Sequence, residues 1–247
     1  MTSSEVWSAE TAERYDDEDR GMFAPEVLEP TIELLAELAG EGPALELAIG
    51  TGRVGVPLRE RGVPVVGIEL SEPMAARLRA KVDEATLPVT IGDMATTVVD
   101  GAGSFTLVYL VYNTISNLRT QDEQVECVVN AARHLSPGGR FVIEVGVPPL
   151  RRLPPTQTAV PFDVGDEHVG FDTFDLATQQ STSHHFTREA DGTWRRDAGR
   201  FRFTWPAELD LMARIAGLQL EARYGDWDRT PFTEESTKHV SVWRKPG

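Results

Sequence analysis

Residues 44–55, ALELAIGTGRVG, constrain the fold more than any other segment of this chain. A short apolar run is closed by Gly50-Thr51-Gly52, and helical patterning can resume directly after it. The run predicts a buried strand. The glycines predict a tight turn whose bare backbone can approach a ligand. The helix start beyond them offers unpaired N–H groups. Gly50, Gly52 and Gly55 match the G-x-G-x-x-G spacing of dinucleotide folds. An ordinary strand-to-helix turn keeps a glycine or two without any ligand, so the pattern needs support from its surroundings.

The surroundings alternate. Apolar residues at helical spacing (Val27, Leu28, Ile32, Leu35, Leu38) predict a helix over 25–39, ended by Gly40 and Gly42. After the glycine turn the pattern predicts a helix over 53–61, a strand over 64–70, a helix over 73–83 and a strand over 89–91. A strongly apolar strand over 104–112, a helix over 121–135 ending in Ser136-Pro137-Gly138-Gly139, and a strand over 140–145 complete the series. Apolar strands separated by helices indicate a parallel sheet covered on both faces.

Beyond Pro148-Pro149 the patterning changes. Residues 153–161 have the composition of a linker. Stretches 168–174, 178–188 and 194–204 alternate without helical period, and Asp191-Gly192 is a hairpin signal. They predict about three antiparallel strands. A helix over 206–216 and two antiparallel strands, 218–224 and 238–245, would bring the main sheet to about seven strands. The expected organisation is an α/β core over 1–150 with N-terminal helices, a small cap over 151–204, and a last helix with a terminal β-hairpin over 205–247.

Composition narrows the partners. The 247 residues carry a formal net charge of −15, which repels phosphate backbones unless a basic stripe overrides it. Arg188, Arg195, Arg196, Arg200 and Arg202 are interleaved with Glu189, Asp191 and Asp197 and make no such stripe. A small molecule or short peptide is the expected partner, rather than nucleic acid or a membrane. No apolar run approaches the roughly 20 residues of a membrane span, and the polar, acidic start has no secretory signature, so a cytoplasmic location is expected. The single cysteine, Cys127, falls in an amphipathic helix and reads as a small core residue. No metal site is expected.

Acids at strand ends carry the site. Glu69 lies nineteen residues past Gly50, at the end of the second strand, where a carboxylate can accept both hydroxyls of a ribose. Gly92-Asp93 ends the third strand, where an acid can accept a bond from an adenine amino group. Glu46 stands inside an apolar strand, and burying a carboxylate costs several kcal/mol unless it is paired or hydrogen-bonded. Backbone N–H groups or a cationic ligand end would explain it. Adenosine occurs in nicotinamide nucleotides and in S-adenosylmethionine, so both fit so far. The chain has one mononucleotide-binding half and no second half for a nicotinamide.

Taken in order, Glu46-x-x-x-Gly50-x-Gly52, Glu69, Gly92-Asp93, Phe105-Thr106-Leu107-Val108 and the segment 135–144 (LSPGGRFVIE) resemble the motifs of class I S-adenosylmethionine-dependent methyltransferases. The match spans roughly residues 10–146. It implies a doubly wound, mostly parallel seven-stranded Rossmann-like sheet with an antiparallel cap inserted after the fifth strand. It implies S-adenosylmethionine as cofactor, with the backbone of Ala48, Gly50 and Gly52 at its methionine part and Glu69 at the ribose. Asp93 and the Met94 backbone would meet the adenine, Leu70 and Met94 would sandwich it, and Tyr15 would cover the cofactor from an N-terminal helix. Glu46 and Tyr109 are counted with these contacts. Ala48 stands where the family usually has glycine, and Thr106 where it often has aspartate.

The methyl acceptor is expected over the carboxyl end of the fourth strand, near Tyr109, Tyr112, Asn113 and Thr114, with Glu144 as another wall. Tyr112 and Asn113 are candidates to orient it. The cap contributes His184 and His185, with His168 nearby, as candidate bases; adjacent strand residues face opposite ways, so at most one of the pair can face the cleft. Trp194, Phe201, Phe203 and Trp205 would line an apolar pocket, the buried face of the small sheet, or a homodimer interface. The expected activity is methyl transfer to a nitrogen or oxygen of a small molecule of natural-product type, by in-line displacement. Two alternatives stay open: a methyltransferase-fold protein with a cyclising or ligand-binding role, and a nicotinamide-dependent oxidoreductase.

Overall fold

The computed structural model describes residues 7, 9–15, 22 and 24–247. Much of the polar N-terminal stretch over 1–24 therefore lies outside the described residues. Helix α1 (Ala9–Tyr15) precedes α2 (Pro25–Ala39), which starts on a proline, where the missing N–H costs nothing. Then follow β1 (Ala44–Leu47), α3 (Gly55–Glu60), β2 (Val65–Glu69), α4 (Glu72–Arg79), β3 (Val89–Ile91), β4 (Phe105–Leu110), α5 (Gln121–His134) and β5 (Leu135–Gly146). Ser71 caps α4, and Thr120 with Glu123 forms a capping box on α5.

The main sheet has seven strands in the order β10-β11-β5-β4-β1-β2-β3, where β10 is Gln219–Tyr224 and β11 is Lys238–Arg244. Strands β1 to β5 run parallel, and β11 pairs antiparallel with both β5 and β10. Both faces of this sheet are buried. Leu47, Val108 and Phe141 pack with α5 and with α6 (Pro206–Ile215) on one side; Leu107, Tyr109 and Val142 pack with α2 and α3 on the other. This is the mostly parallel seven-stranded sheet expected from the alternation of elements. No helix among the described residues is long and apolar enough to cross a membrane.

A second, four-stranded antiparallel sheet follows β5 in the order β6-β7-β8-β9: Ala159–Val164, His168–Asp175, Gln180–Arg188 and Trp194–Arg202. Three of these were legible. The fourth, β6, occupies part of the expected linker. It is an edge strand, and its Pro161 sits at a register shift where the ladder loses little by lacking an N–H donor.

Two further boundaries differ from the expectation. Ser136 to Gly139 do not form a separate turn but a bulge at the start of β5, between the pairs Phe105–Leu135 and Leu107–Arg140. Strand β4 stops at Leu110 rather than at Tyr112, because Tyr112 and Asn113 adopt φ of 57° and 58°, which leaves the extended region.

Candidate active site

The strand order places β1 between β2 and β4, so successive connections leave the sheet in opposite directions at that point. Ligand crevices of doubly wound sheets form at such a switch, beyond the carboxyl ends of the strands. The ends of β1, β2 and β3 here border a cleft of about 600 Å3. Its walls include Tyr15, Ala48, Gly50, Glu69, Leu70, Asp93 and Met94.

Glu69 organises the floor. It is only 6% exposed, yet its carboxylate accepts two backbone N–H bonds, from Gly50 and from Ser71, each at 2.7 Å. The first bond ties the glycine turn after β1 to the end of β2, and the second ties β2 to the start of α4. Burial raises the pKa of this acid, while the N–H groups of Ser71 and Gly50 oppose the rise. An ionised carboxylate has about four acceptor directions, so the backbone bonds do not exhaust its capacity for hydroxyl donors.

Gly50 has φ of 59°, and nothing lies within 4 Å of where a Cβ would stand. Its bare backbone borders open space, as close approach of a ligand requires. Gly52 is glycine for another reason. A Cβ there would lie 2.3 Å from Leu78 Cδ1, so this glycine lets α4 pack under the turn, and it does not line the cleft. Ala48 has φ of 53°, the left-handed region that favours glycine. That geometry gives a physical reason for a glycine there in related chains, and Ala48 accepts a strain of about 1 kcal/mol in its place. Thr106 donates its hydroxyl to Ala39 O at 2.8 Å and stays clear of the cleft.

A smaller hollow of about 340 Å3 adjoins the first and shares Tyr15, Ala48, Gly50 and Thr114 with it. Glu46, Arg53 and Tyr112 line it as well. Glu46 is 2% exposed and accepts the Tyr109 hydroxyl at 2.9 Å. Burial pushes its pKa up to about 8, against the lowering effects of Tyr109 and Arg53. The Arg53 guanidinium lies 5.2 Å from the Tyr112 ring centre and donates to Met22 O at 3.1 Å. Tyr109 lies beneath the hollow, fully buried, and reaches the site only through Glu46.

The remaining acceptor candidates occupy the β4–β5 corner. The Tyr112 N–H donates to Glu144 Oε2 at 2.9 Å, and the Gly146 N–H donates to Asn113 Oδ1 at 3.1 Å. Asn113 thus braces the corner. His184 and His185 lie outside both hollows. They face opposite ways from β8, as adjacent strand residues must: His184 stacks on Phe171, whereas His185 Nδ1 lies 3.1 Å from His168 Nε2. Of the cap aromatics, Phe203 is buried against Val160 and Phe174, while Trp194 and Trp205 are exposed; none lines either hollow.

A family model described as a methyltransferase domain matches residues 44–139. The solved CcbJ methyltransferase from Streptomyces caelestis superposes with a TM-score of 0.84 at 35% identity, over 96% of both chains. The chain belongs to the S-adenosylmethionine-dependent methyltransferases. S-adenosylmethionine is accordingly its cofactor. Among curated proteins, this methyltransferase is 27% identical to a cypemycin N-terminal methyltransferase of a Streptomyces species, over 98% of both chains. It is 32% identical to a dTDP-4-amino-2,3,4,6-tetradeoxy-D-glucose N,N-dimethyltransferase of Saccharopolyspora spinosa, over 58% of this chain and 57% of that one.

The cleft of the methyltransferase fits such a cofactor by its own chemistry. It offers a braced carboxylate, the bare backbone of Gly50 and the apolar side chains of Leu70, Met74 and Met94 in one cavity. Trp7, Met74 and Asn117 also line it and were not foreseen. Met74 follows from its place one helical turn into α4, since that helix begins at Ser71 beside Glu69. Trp7 and Asn117 carry no local signal; contacts distant in sequence bring them in, such as the 2.8 Å bond from Ser71 Oγ to Trp7 O.

Proposed function

We propose that this methyltransferase methylates a nitrogen, with oxygen as the alternative acceptor atom, on a small molecule or short peptide of natural-product type. The observation that carries this reading is the joining of two unlike hollows through Tyr15, Ala48, Gly50 and Thr114. The larger has a nucleoside's needs: hydroxyl acceptors at Glu69, a polar end at Asp93, and apolar walls from Leu70 and Met94. The smaller is lined by the Arg53 guanidinium, a partner for a carboxylate, and by the buried Glu46 carboxyl, whose ionised form an ammonium would favour; together they suit the zwitterionic end of an amino acid. In this assignment Glu69 holds the ribose, Asp93 the adenine edge, and the backbone of Ala48 and Gly50 the methionine part. Gly52 and Tyr109 support the site from beneath. The cypemycin relative is an N-terminal methyltransferase and the amino-sugar relative an N,N-dimethyltransferase, which favours nitrogen.

When bound, S-adenosylmethionine supplies an electrophilic methyl group with a neutral leaving group. The protein therefore needs to do little beyond positioning, for which effective molarities of ~10⁵–10⁸ M set the scale. Tyr112 is 53% exposed at the rim of the smaller hollow and orients the acceptor; Asn113 holds the corner on which Tyr112 stands. An ammonium acceptor must shed a proton first. With His184 and His185 outside both hollows, the open rim beside Tyr112 gives that proton a path to water.

The test is incubation with S-adenosylmethionine and a panel of amino sugars, small amines and short peptides with free N-termini, read by mass spectrometry. The expected result is S-adenosylhomocysteine formed in step with an N-methylated acceptor. Methylation confined to carbon, or cofactor breakdown independent of every acceptor, would overturn the reading.

A further inference from the structure

A polar node at the base of the cap has no part in the chemistry described so far. At its centre is Gln124 of α5, fully buried in the interior. Its carboxamide N–H groups donate to Ile115 O at 3.2 Å, Leu118 O at 3.1 Å and Arg202 O at 3.2 Å. Its carboxamide oxygen accepts from Arg202 Nη1 and from Thr204 Oγ1, the latter at 2.8 Å. One side chain therefore grips two bodies. The donor half holds both ends of the short 3-10 turn Thr114–Asn117 and also the Arg202 carbonyl, and the acceptor half holds the side chains of Arg202 and Thr204 at the end of β9.

The turn matters because Thr114 and Asn117 line the large cleft. The end of β9 matters because it is the root of the cap. Arg202 pairs there with Glu208 of α6 at 2.7 Å and donates to Gln179 Oε1, in the β7–β8 turn, at 3.2 Å. Gln180 donates to Arg119 O at 2.8 Å beside the same 3-10 turn. A buried network of this kind is costly when half satisfied, so its members are held in one arrangement or lose several bonds together.

We infer that Gln124 is a positioning residue that keys the cleft wall Thr114–Asn117 to the base of the cap, so that filling the cleft tightens the cap root. This rests on the proposed placement of the cofactor against Thr114 and Asn117. The substitution Gln124→Glu separates the two halves. A carboxylate still accepts from the Arg202 and Thr204 side chains, but it has no donor for Ile115 O, Leu118 O or Arg202 O, so the cap root keeps its side-chain bonds and the cleft wall keeps none.

The experiment is hydrogen–deuterium exchange on the full-length protein with and without S-adenosylhomocysteine, whose binding is measured separately by calorimetry. In the wild type, the probe should slow exchange at residues 115–118 and also at 202–204. The slowing at the cap root should reach at least about fivefold, the lower end of ordinary site-to-site coupling. In Gln124→Glu, slowing at 115–118 should persist and slowing at 202–204 should vanish. Gln124→Met, near in volume and lacking both halves, should behave as the glutamate does at the cap root and serves if the charged variant does not fold.

Probe-induced slowing at 202–204 that survives in either variant overturns the inference. So does a wild-type cap root that ignores the probe while calorimetry reports binding. A calorimetric blank for the wild type overturns the cofactor placement itself, and the inference with it.

Discussion

Glu69 does two jobs with one carboxylate. It ties the glycine turn to the end of β2 through Gly50 and Ser71, and in the proposed placement of the cofactor its remaining acceptor capacity serves a ribose. Removing it takes away hydrogen bonds to a charged group, each worth about 1.5–3 kcal/mol. Glu69→Ala should therefore weaken S-adenosylmethionine binding by roughly 10–100-fold for one such bond; calorimetry giving an unchanged affinity would remove Glu69 from the site. His184 and His185 make the opposite case. His185 belongs to a chain that runs from Asp163 through His168 (2.6 Å) and on to Ser183 (3.1 Å), all within the cap sheet. Neither His184→Ala nor His185→Ala should change cofactor affinity, and in the N-methylation assay both should keep wild-type turnover from pH 6 to 9. A loss confined to one of them would return that histidine to the role of base.

At the scale of elements, the site depends on how closely helices approach the strand ends. Gly52, with φ of 85°, admits Leu78 of α4 to the space a side chain would fill. Gly52→Ala combines left-handed strain with overpacking and should cost about 2–4 kcal/mol of stability. Because Gly52 lies outside the cleft, cofactor affinity measured well below the melting temperature should fall much less than in Glu69→Ala. Equal losses would mean that Gly52 contacts the ligand after all. The capping box of α5 offers a control distant from the glycine turn: Thr120→Ala should lower stability by about 1 kcal/mol, as read by denaturant unfolding.

For the molecule as a whole, the buried acid Glu46 sets a pH dependence. Its folded pKa, about 8, lies above the ordinary value of 4.5, so the folded chain holds a proton that the unfolded chain releases. Stability from this group is fully present below about pH 4.5 and is lost as pH rises toward 8. The full loss is on the order of 3–5 kcal/mol. Glu46→Gln keeps an acceptor for the Tyr109 hydroxyl and removes the titration. Denaturant unfolding at pH 5.5 and 8.5 should show the variant gaining on the wild type at the higher pH. Parallel behaviour at the two values would show that Glu46 ionises freely in the fold.

Local physics made much of this molecule legible. Helix α2 follows from apolar spacing between a proline and a glycine, β1 and its turn from an apolar run closed by Gly50 and Gly52, and the terminal hairpin from its strand-forming stretches. Acids at strand ends stand out for the same reason, since a carboxylate amid apolar residues needs a partner. Contacts set by distant chain segments were not legible. The end of β4 depends on two left-handed residues braced by Glu144 and Gly146 from the neighbouring strand. The edge strand β6 exists because β7 supplies its hydrogen bonds, although its own composition is that of a loop. Sequence alone thus determined the order of elements and the acids that end them, because period and turn chemistry act within a few residues. Tertiary structure alone decided that Gly52 serves packing, that Tyr109 hides behind Glu46, and that His184 and His185 lie outside both hollows, because each outcome depends on which side chains meet across the sheet.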